Sequence, residues 1–324
     1  MNLKFKTIFH TAIFAYVYLM IALTIPTNFS VTAPNQSSTV NTLIHIDGKN
    51  QTSHLKSMSV LTMTRITGFG RMLYELSSEF DVKPLTYVES TLSQKEMNLR
   101  GQIQKNASFE QSLITAYELA HLTDLSVHIN YKLTGMIIDY RTPDYSMLKI
   151  GDIIVDINNQ NFTDYESMGQ YFIDYDGILN LKVLREDKTM EVSIEKNDQA
   201  IFRFYPKYEI ISASPSYSLP GQNTSLGGPS AGMMYTLSIY FALIDYDLID
   251  VDIAGTGTIR YNGEIGRIGG LPQKIYGAHK EGIKHFLIPS SHYNEVKQLS
   301  HLIKLYPVDT IEDAIEVVMY EILT

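Results

Sequence analysis

The chain has 324 residues, a formal net charge of −9, no cysteine, and 22 tyrosines beside 13 phenylalanines. This length predicts two or three domains with hydrophobic cores, and the aromatic content is typical of folded rather than disordered protein. The absence of cysteine excludes disulfides, a cysteine nucleophile and thiolate metal sites. The acidic balance, without any cluster of Lys or Arg, argues against a nucleic-acid partner.

The N-terminus carries a long apolar run. Two lysines precede residues 8–25, IFHTAIFAYVYLMIALTI, which contain no Asp, Glu, Lys or Arg. About 20 apolar residues cross a bilayer, and flanking positive charge stays on the cytoplasmic side. The sequence therefore predicts a single-pass transmembrane signal anchor over 1–27, with a cytoplasmic N-terminus and the remaining chain outside the cell. The alternative is a cleaved signal peptide, although the A-x-A-like site at 31–33 is followed directly by Pro34.

The next region, 28–126, is predicted to be an extracytoplasmic α/β region. It opens with residues 27–40, which are polar without an apolar period and indicate a short stalk. Alternation of β-branched with polar residues predicts strands, and an apolar stripe behind a capping-box pattern predicts a helix. The predicted elements are strands at 43–46 and 58–67 and helices at 68–80 and 108–124.

Residues 127–196 are rich in predicted strands. Within them, LKIGDIIVDINNQNF (148–162) resembles the signature of PDZ domains, in which a glycine permits a tight turn into a buried strand. PDZ domains bind an extended peptide by adding it to an exposed sheet edge. The resemblance places that edge at GMIIDY (135–140), facing a helix at 163–172, and implies a unit that presents peptides. The alternative is a small β-domain that only spaces or packs.

The last unit, 197–324, contains the candidate chemistry. Ser230 lies in GPSAG, immediately before a long apolar run, a pattern that fits either a nucleophile or a helix cap. A serine hydroxyl needs a base, and Lys274 follows a Gly-Gly turn in the first turn of a predicted helix with an apolar wall. Burial and the helix dipole would lower a lysine pKa toward about 7–8, where it can act as a base. The histidines downstream of Ser230 are the alternative source of a base.

Several motifs of this unit occur together in a recognisable order. GPSAG is followed by a Thr-Gly dipeptide at 256–257, then by GEIGRIGGLPQK and AHKEGIKHFLIP. This series resembles the proteolytic domain of the Lon protease family. The resemblance implies that Ser230 is the nucleophile, that Lys274 is the base and that Thr256 helps to hold the lysine. Around Thr256 the chain reads G-T-G-T where typical Lon domains read T-G-E, which makes the role of Thr256 less secure.

The order of the whole chain resembles the membrane-anchored PDZ–Lon proteases of Gram-positive bacteria. The implied fold class is α+β multidomain: a transmembrane helix, an α/β region, a PDZ-like β-domain and a Lon-type proteolytic α/β domain. This branch implies a membrane-bound serine endopeptidase that cuts flexible peptides or protein segments, such as a secreted peptide pheromone, outside the cell.

The motifs that would indicate cofactors or metals are missing from the sequence. It contains neither G-x-x-x-x-G-K-[ST] nor H-E-x-x-H, so an ATP-independent enzyme without cofactor or metal is expected. Its expected partners are peptide substrates and the membrane, and no nucleic acid or ATP. The competing hypothesis, from a different functional class, is a membrane-anchored PDZ binding or scaffold protein whose Lon-like domain is inactive.

Overall fold

The computed structural model describes residues 3–160, 162–196, 202–219, 227–246, 248 and 251–323. The helices are α1 (Leu3–Thr24), α2 (Gly68–Tyr74), α3 (Tyr87–Thr91), α4 (Gln94–His121), α5 (Tyr165–Asp174), α6 (Gly232–Leu243), α7 (Leu271–Lys280), α8 (Tyr293–Val296) and α9 (Ile311–Glu316), which continues as a π-helical turn over Val317–Ile322.

The strands fall into two larger sheets and two short pairs. They are β1 (Phe29–Thr39), β2 (His45–Ile46), β3 (Leu55–Thr64), β4 (Asp81–Pro84), β5 (His128–Arg141), β6 (Ile153–Ile157), β7 (Ile178–Arg185), β8 (Lys188–Glu195), β9 (Phe202–Ser214), β10 (Tyr217–Ser218), β11 (Ile253–Gly255), β12 (Thr258–Ile259), β13 (Ile265–Gly266), β14 (His285–Pro289) and β15 (Lys304–Val308).

A mixed six-stranded sheet lies at the centre of the main body, which comprises the described residues outside 128–214. Its order is β15-β14-β11-β3-β1-β4. The strands from β15 to β3 run parallel, and β1 and β4 complete the sheet in antiparallel pairs. Because Ile253 lies opposite both Leu55 and His285, the N-terminal and C-terminal regions share one continuous sheet.

Helices cover both faces of this sheet. Successive strand residues point to opposite faces, and on β11 the side chain of Ile253 joins the core under α4 and α6, whereas Ala254 joins the core under α7. α6 is buried on almost every side, which explains why its sequence is apolar without a polar face. α6 and α7 therefore reach the sheet from opposite sides.

The segment predicted as a stalk is a strand of this sheet, so that prediction is wrong. β1 pairs with β3 on one side and β4 on the other, and its Val31 and Ala33 are buried. α7 lies close against it, since a Cβ added to Gly277 would stand 2.6 Å from the carbonyl oxygen of Asn35. Taken alone, the alternating side chains of β1 look only weakly apolar. They are buried because β3, β4 and α7 lie against this strand.

The long helix α4 begins earlier than predicted. Ser93 caps it in a capping box with Glu96, so Ser108, predicted as the cap, lies buried in the middle of the helix. Ser93 stands three residues before Glu96, and Ser108 stands three residues before Gln111. Both pairs fit the capping-box pattern, so the sequence alone does not show which serine begins the helix. The predicted helix at 68–80 is also shorter, because α2 ends at Tyr74.

Residues 128–214 form a second sheet, inserted between α4 and α6. Its order is β8-β7-β6-β5-β9 with every pair antiparallel, and α5 packs on its core of Met136, Ile154, Leu181 and Val183. β5 and β9 pair from His128–Ser214 to Arg141–Phe202. The chain thus leaves the main body and returns to it at the same place.

The edge predicted to accept peptides is occupied by the chain itself. Residues 136–141 of β5 pair with residues 202–206 of β9, and the ring centroid of Phe204 in β9 lies 5.9 Å from that of Phe172 in α5. The other side of β5 pairs with β6 at Met136 and Ile137. This pairing joins segments about 65 residues apart, which local sequence patterns do not indicate.

The predicted transmembrane anchor over 1–27 is wrong. Within the residues that the structure describes, no helix combines the length and the apolar character that a membrane crossing requires. A span needs about 20 consecutive apolar residues, and in α1 the polar residues Lys4, Lys6, His10 and Thr11 leave only the segment after Thr11 predominantly apolar. The cell-membrane localisation with an extracellular catalytic domain depended on this anchor and is withdrawn with it.

Candidate active site

Ser230 lies in the turn that leads into α6. The helix begins at Gly232 with Ala231 as its cap residue, and no side chain caps it. The hydroxyl of Ser230 is therefore not a helix cap. A Cβ at Gly232 would come within 2.7 Å of Ile259 and 2.9 Å of Ser108, so a glycine is required for the turn to pack this closely.

Thr256 follows β11 and ties this turn to the sheet. Its side chain is fully buried, and Oγ1 donates a hydrogen bond to the carbonyl oxygen of Ser230 at 2.8 Å. The same carbonyl accepts from the N–H of Gly257 at 2.9 Å. Two donors on one carbonyl fix the peptide plane of Ser230 relative to β11.

Lys274 arrives from the opposite face of the sheet. The preceding Gly270 is the cap residue of α7 with φ 66°, a left-handed conformation that favours glycine, and a Cβ there would lie 3.1 Å from Val60. Lys274 Nζ donates to Ser230 Oγ at 2.6 Å and to Thr256 Oγ1 at 2.8 Å. The structure thus brings the three predicted site residues together.

Burial controls the protonation of this lysine. The Lys274 side chain is 1% exposed, and burial lowers its pKa from 10.5 to about 7 because the charged ammonium loses its hydration. Its two partners are neutral hydroxyls, which do not replace that hydration as a carboxylate would. A large fraction of Lys274 is therefore a neutral amine at physiological pH.

The hydrogen bonds also set the direction of the amine. Because Thr256 gives its own proton to the Ser230 carbonyl, its oxygen is free to accept from Nζ. A neutral amine has one lone pair, and with one N–H held by Thr256 the lone pair can face the hydroxyl of Ser230. This arrangement is suited to removing the proton of Ser230.

A cleft of about 580 Å³ opens over these groups. Ser230 and Lys274 line it together with Gly227, Gly228 and Gly269. Residues 57–62 of β3 line the cleft as well. β3 pairs with β11 only up to Ser57, so among the described residues the following stretch has no strand beside it on that side. The cleft therefore combines the Ser230 hydroxyl with an open strand edge.

The downstream histidines have other partners. His279 contacts the carbonyl of Leu302, and His285 the hydroxyl of Tyr306. His292 is buried and accepts from the N–H of Ile268. No hydrogen bond between a described histidine and Ser230 is present, and within the described ranges no group of three or more His, Asp or Glu side chains could hold a metal ion.

Sequence analysis missed the role of α4 in the site. One face of this helix holds the turn that carries Ser230, through Gly101, Ser108 and Ser112. The sequence feature that could have indicated this role is the series of small and polar residues Gly101, Ser108 and Ser112 at helical spacing. It was not recognised because the helix was predicted to begin only at Ser108.

Comparison with known proteins bears on this part of the chain. Residues 188–321 match the Lon protease (S16) C-terminal proteolytic domain. The chain is 31% identical over 149 residues to a Lon protease of Campylobacter concisus, covering 42% of this chain and 18% of that protein. It is 34% identical over 95 residues to a Lon protease of Mycoplasma mycoides subsp. mycoides SC, covering 28% of this chain and 12% of that protein.

A third Lon protease also matches over a small part of its own length. Lon protease 1 of Myxococcus xanthus is 31% identical over 117 residues, which cover 35% of this chain and 14% of that protein. The chain thus spans less than a fifth of the length of these curated relatives. The matches confirm the predicted Lon resemblance and give no support to the narrower resemblance to membrane-anchored PDZ–Lon proteases. The C-terminal part of this chain is recognised as a Lon protease (S16) C-terminal proteolytic domain.

Proposed function

We propose that the chain is a serine endopeptidase in which Ser230 is the nucleophile and Lys274 the general base. The observation that carries the proposal is the 2.6 Å contact between Lys274 Nζ and Ser230 Oγ, made by a buried amine with a pKa of about 7. The relatedness of residues 188–321 to Lon proteolytic domains indicates a serine peptidase. The Ser–Lys pairing itself is our assignment.

Acylation follows from this geometry. Neutral Lys274 takes the proton of the Ser230 hydroxyl as Oγ bonds to the scissile carbonyl carbon and the carbonyl oxygen becomes an oxyanion. The N–H groups of Gly232 and Met233 at the start of α6 already donate to the carbonyl oxygens of Pro229 and Gly257, so the backbone N–H groups of the turn around Ser230 itself are our candidate donors for this oxyanion. When the C–N bond breaks, the Lys274 ammonium returns the proton to the leaving amine.

Deacylation uses the same base. The acyl-enzyme ester on Ser230 is attacked by a water whose proton passes to Lys274, and the C–Oγ bond then breaks. Lys274 returns that proton to Ser230 Oγ, which leaves the free acid and the original enzyme. Thr256 takes part as a positioning residue, because it holds one N–H of the amine.

The substrates that suit the cleft are extended peptides or unfolded segments. The stretch of β3 after Ser57 offers backbone N–H and C=O groups along the cleft. A peptide added as a strand there would gain main-chain hydrogen bonds and cross the nucleophile with its backbone. A folded domain cannot offer such a strand without local unfolding.

We further propose that cleavage proceeds without nucleotide. The sequence of this chain contains no G-x-x-x-x-G-K-[ST] motif, and a Ser–Lys site needs no phosphate for the steps above. The test is to measure peptide cleavage with and without ATP and Mg²⁺, with equal rates expected. A rate that depends on ATP would contradict this part of the proposal.

The experiment that tests the peptidase assignment is cleavage profiling. The protein and its Ser230→Ala variant are incubated with a diverse peptide library, and products are identified by mass spectrometry. We expect new termini with the wild-type chain and none above background with Ser230→Ala. Equal cleavage by both proteins would mean that a contaminant or another group of the chain causes the cleavage. No cleavage by either protein would favour the alternative of a binding or scaffold protein.

A further inference from the structure

Asp139 is a buried carboxylate that the proposed reaction does not use. It lies in β5 of the inserted sheet and is 2% exposed. Its Oδ2 accepts hydrogen bonds from Arg100 Nε at 3.0 Å and from Gln104 Nε2 at 2.7 Å. Both donors belong to α4, and both line the cleft together with Ser230 and Lys274. The inserted sheet therefore holds two side chains of the cleft through one carboxylate.

A β-bulge places Asp139 against α4. In the ladder between β5 and β9, Ile138 pairs with Phe204 and Tyr140 pairs with Arg203, so Asp139 is the extra residue of β5. A bulge of this kind re-aims side chains and is often found beside active sites. Here Tyr140 packs in a small core with residues of α4, and Asp139 accepts hydrogen bonds from α4 directly. The bulge thus directs the carboxylate toward the helix that lines the cleft.

The helix α4 lies between this carboxylate and the turn that carries Ser230. Gly101, which follows Arg100 directly, accepts a hydrogen bond from the N–H of Gly228 at 3.0 Å. The two main chains are also close, since a Cβ added to Gly101 would stand 3.7 Å from the Cα of Gly227. Close-packed elements transmit displacements. A shift of Arg100 would therefore carry the Gly101 carbonyl with it, and with that carbonyl the position of Gly228.

A second contact joins α4 to the inserted sheet further along the helix. The Glu110 carboxylate accepts from Lys207 Nζ and, at 3.1 Å, from the N–H of Tyr208. Lys207 and Tyr208 belong to β9, whereas Asp139 belongs to β5. Loss of the Asp139 contact would therefore leave the helix docked on the inserted sheet and release the segment 100–104, whose end residues line the cleft.

We propose that Asp139 is a positioning residue of the proposed active site, which acts through Arg100 and Gln104 on the turn that carries Ser230. The inserted sheet then contributes directly to the shape of the cleft, and is more than a unit that presents peptides or spaces the chain. This inference rests on the proposed peptidase function and adds to it a residue that does not itself line the cleft. A carboxylate with a charged donor makes a stronger hydrogen bond than two neutral groups do, so the link favours one arrangement of α4.

Two substitutions of Asp139 separate its hydrogen bonds from its charge. Oδ2 accepts both hydrogen bonds, whereas Oδ1 is buried and has no hydrogen-bond partner among the described residues. Asp139→Asn can therefore keep both bonds with its one amide oxygen, and Asp139→Leu removes the acceptor at a similar size. For a peptide that the wild-type chain cleaves, we expect Asp139→Leu to lower kcat by about tenfold or more, with KM changed less than about threefold. Asp139→Asn should retain kcat within about threefold of the wild-type value.

A small serine-directed reagent tests whether the turn itself has moved. A fluorophosphonate probe that carries no peptide reacts with Ser230 without filling the cleft, so loss of a peptide contact alone would leave its rate unchanged. We expect Asp139→Leu to slow this labelling by about the same factor as kcat. Adding Arg100→Met to Asp139→Leu should change either rate little, because both residues act through one contact.

Asp152→Leu is the matched control. Asp152 is also a buried carboxylate of the inserted sheet, but its partner Arg185 belongs to the same sheet, and neither residue lines the cleft. We expect this variant to lose stability in urea unfolding and, where it stays folded, to keep the wild-type kcat and labelling rate. Gln104→Met replaces Asp139→Leu if that variant does not fold. It removes one of the two donors to Asp139, and a fall in kcat of about threefold or more is expected.

The possible outcomes separate this inference from the proposed function. A folded Asp139→Leu variant with wild-type kcat overturns the positioning role and leaves the peptidase assignment standing. A rise in KM alone, or an equal loss of kcat in Asp152→Leu, also overturns it, because the effect would then belong to peptide binding or to the stability of the whole inserted sheet. Wild-type cleavage no greater than that of Ser230→Ala overturns the peptidase assignment instead.

Discussion

Each of the two sheets buries an ionisable group, and the two groups have opposite surroundings. In the inserted sheet Asp152 is 1% exposed, and both of its oxygens accept from Arg185, at 2.7 and 2.6 Å. In the main body Lys274 is equally buried, and its partners are the hydroxyls of Ser230 and Thr256. A buried charge with a matching partner stabilises the fold, whereas a buried amine held only by neutral hydroxyls can exchange a proton.

Replacing the buried lysine should have the largest effect on the reaction. Lys274→Met keeps an unbranched side chain of similar length and removes the amine, so kcat/KM for peptide cleavage should fall by about 10²–10⁴-fold. Adding Ser230→Ala to it should lower the rate little further, since members of a catalytic unit are not additive. The measurement is kcat/KM for one peptide with the single and double variants. Near-normal turnover by Lys274→Met would end the assignment of the base.

The same lysine should lower stability in a manner that depends on pH. Between about 7 and 10.5 the unfolded chain binds a proton at Lys274 that the folded chain does not, so the free energy of unfolding rises with pH across this window. A separation of 3.5 pKa units at about 1.36 kcal/mol each gives a difference of order 5 kcal/mol.

Lys274→Met removes this titration. The variant should therefore be more stable than the wild-type chain below pH 7, by an amount that shrinks toward pH 10.5. Urea unfolding of both proteins at several pH values measures the difference. A difference in the free energy of unfolding that stays constant with pH would mean that Lys274 is not held as a buried neutral amine in the folded chain.

Breaking the ion pair of the inserted sheet should give the converse result. Arg185→Met leaves the Asp152 carboxylate buried without its main partner, which should destabilise that sheet by about 3–5 kcal/mol. Under conditions where the variant stays folded, kcat/KM for a short peptide should be unchanged, because neither residue lines the cleft. Denaturant unfolding together with peptide kinetics measures both effects. A lower kcat/KM in the folded variant would contradict this prediction, because the ion pair would then affect the cleft as well as the stability of the inserted sheet.

Thr256→Val should have the smallest effect of the four. It removes the hydroxyl that accepts from Nζ and donates to the Ser230 carbonyl, so kcat/KM should fall by roughly tenfold through poorer positioning. A hydroxyl that accepts from the ammonium favours the charged form, so its loss should move the acid limb of the pH–rate profile below the wild-type value of about 7. A limb that moves upward, or an unchanged rate, would contradict the positioning role.

The sequence was informative wherever a motif is continuous. Ser230 and Lys274 stand in short series that resemble Lon proteolytic domains, and each local turn could be interpreted from its glycines. Their 2.6 Å contact could not be derived in this way, because it requires α6 and α7 to reach the sheet from opposite faces.

The predictions from the sequence were wrong where the structure of a segment depends on residues that are distant in sequence. Residues 27–40 were predicted as a stalk because the burial of β1 within them depends on β3, β4 and α7, none of which is adjacent in sequence. The strand at 135–140 was predicted to have a free edge, since nothing local indicates that residues 202–206 return to pair with it. Both errors concern pairing, which local alternation cannot specify.

The pairing of β3 with β11 has a consequence for synthesis of the chain. Ser57 meets Gly255 across about 200 residues, and Lys274 follows later still. A ribosome must therefore release most of the chain before Ser230, Thr256 and Lys274 can meet. If Ser230 and Lys274 act as proposed, the growing polypeptide carries the nucleophile without its base and is inactive while it emerges. Under the proposed mechanism, hydrolysis could begin only after β11 and α7 have joined the sheet.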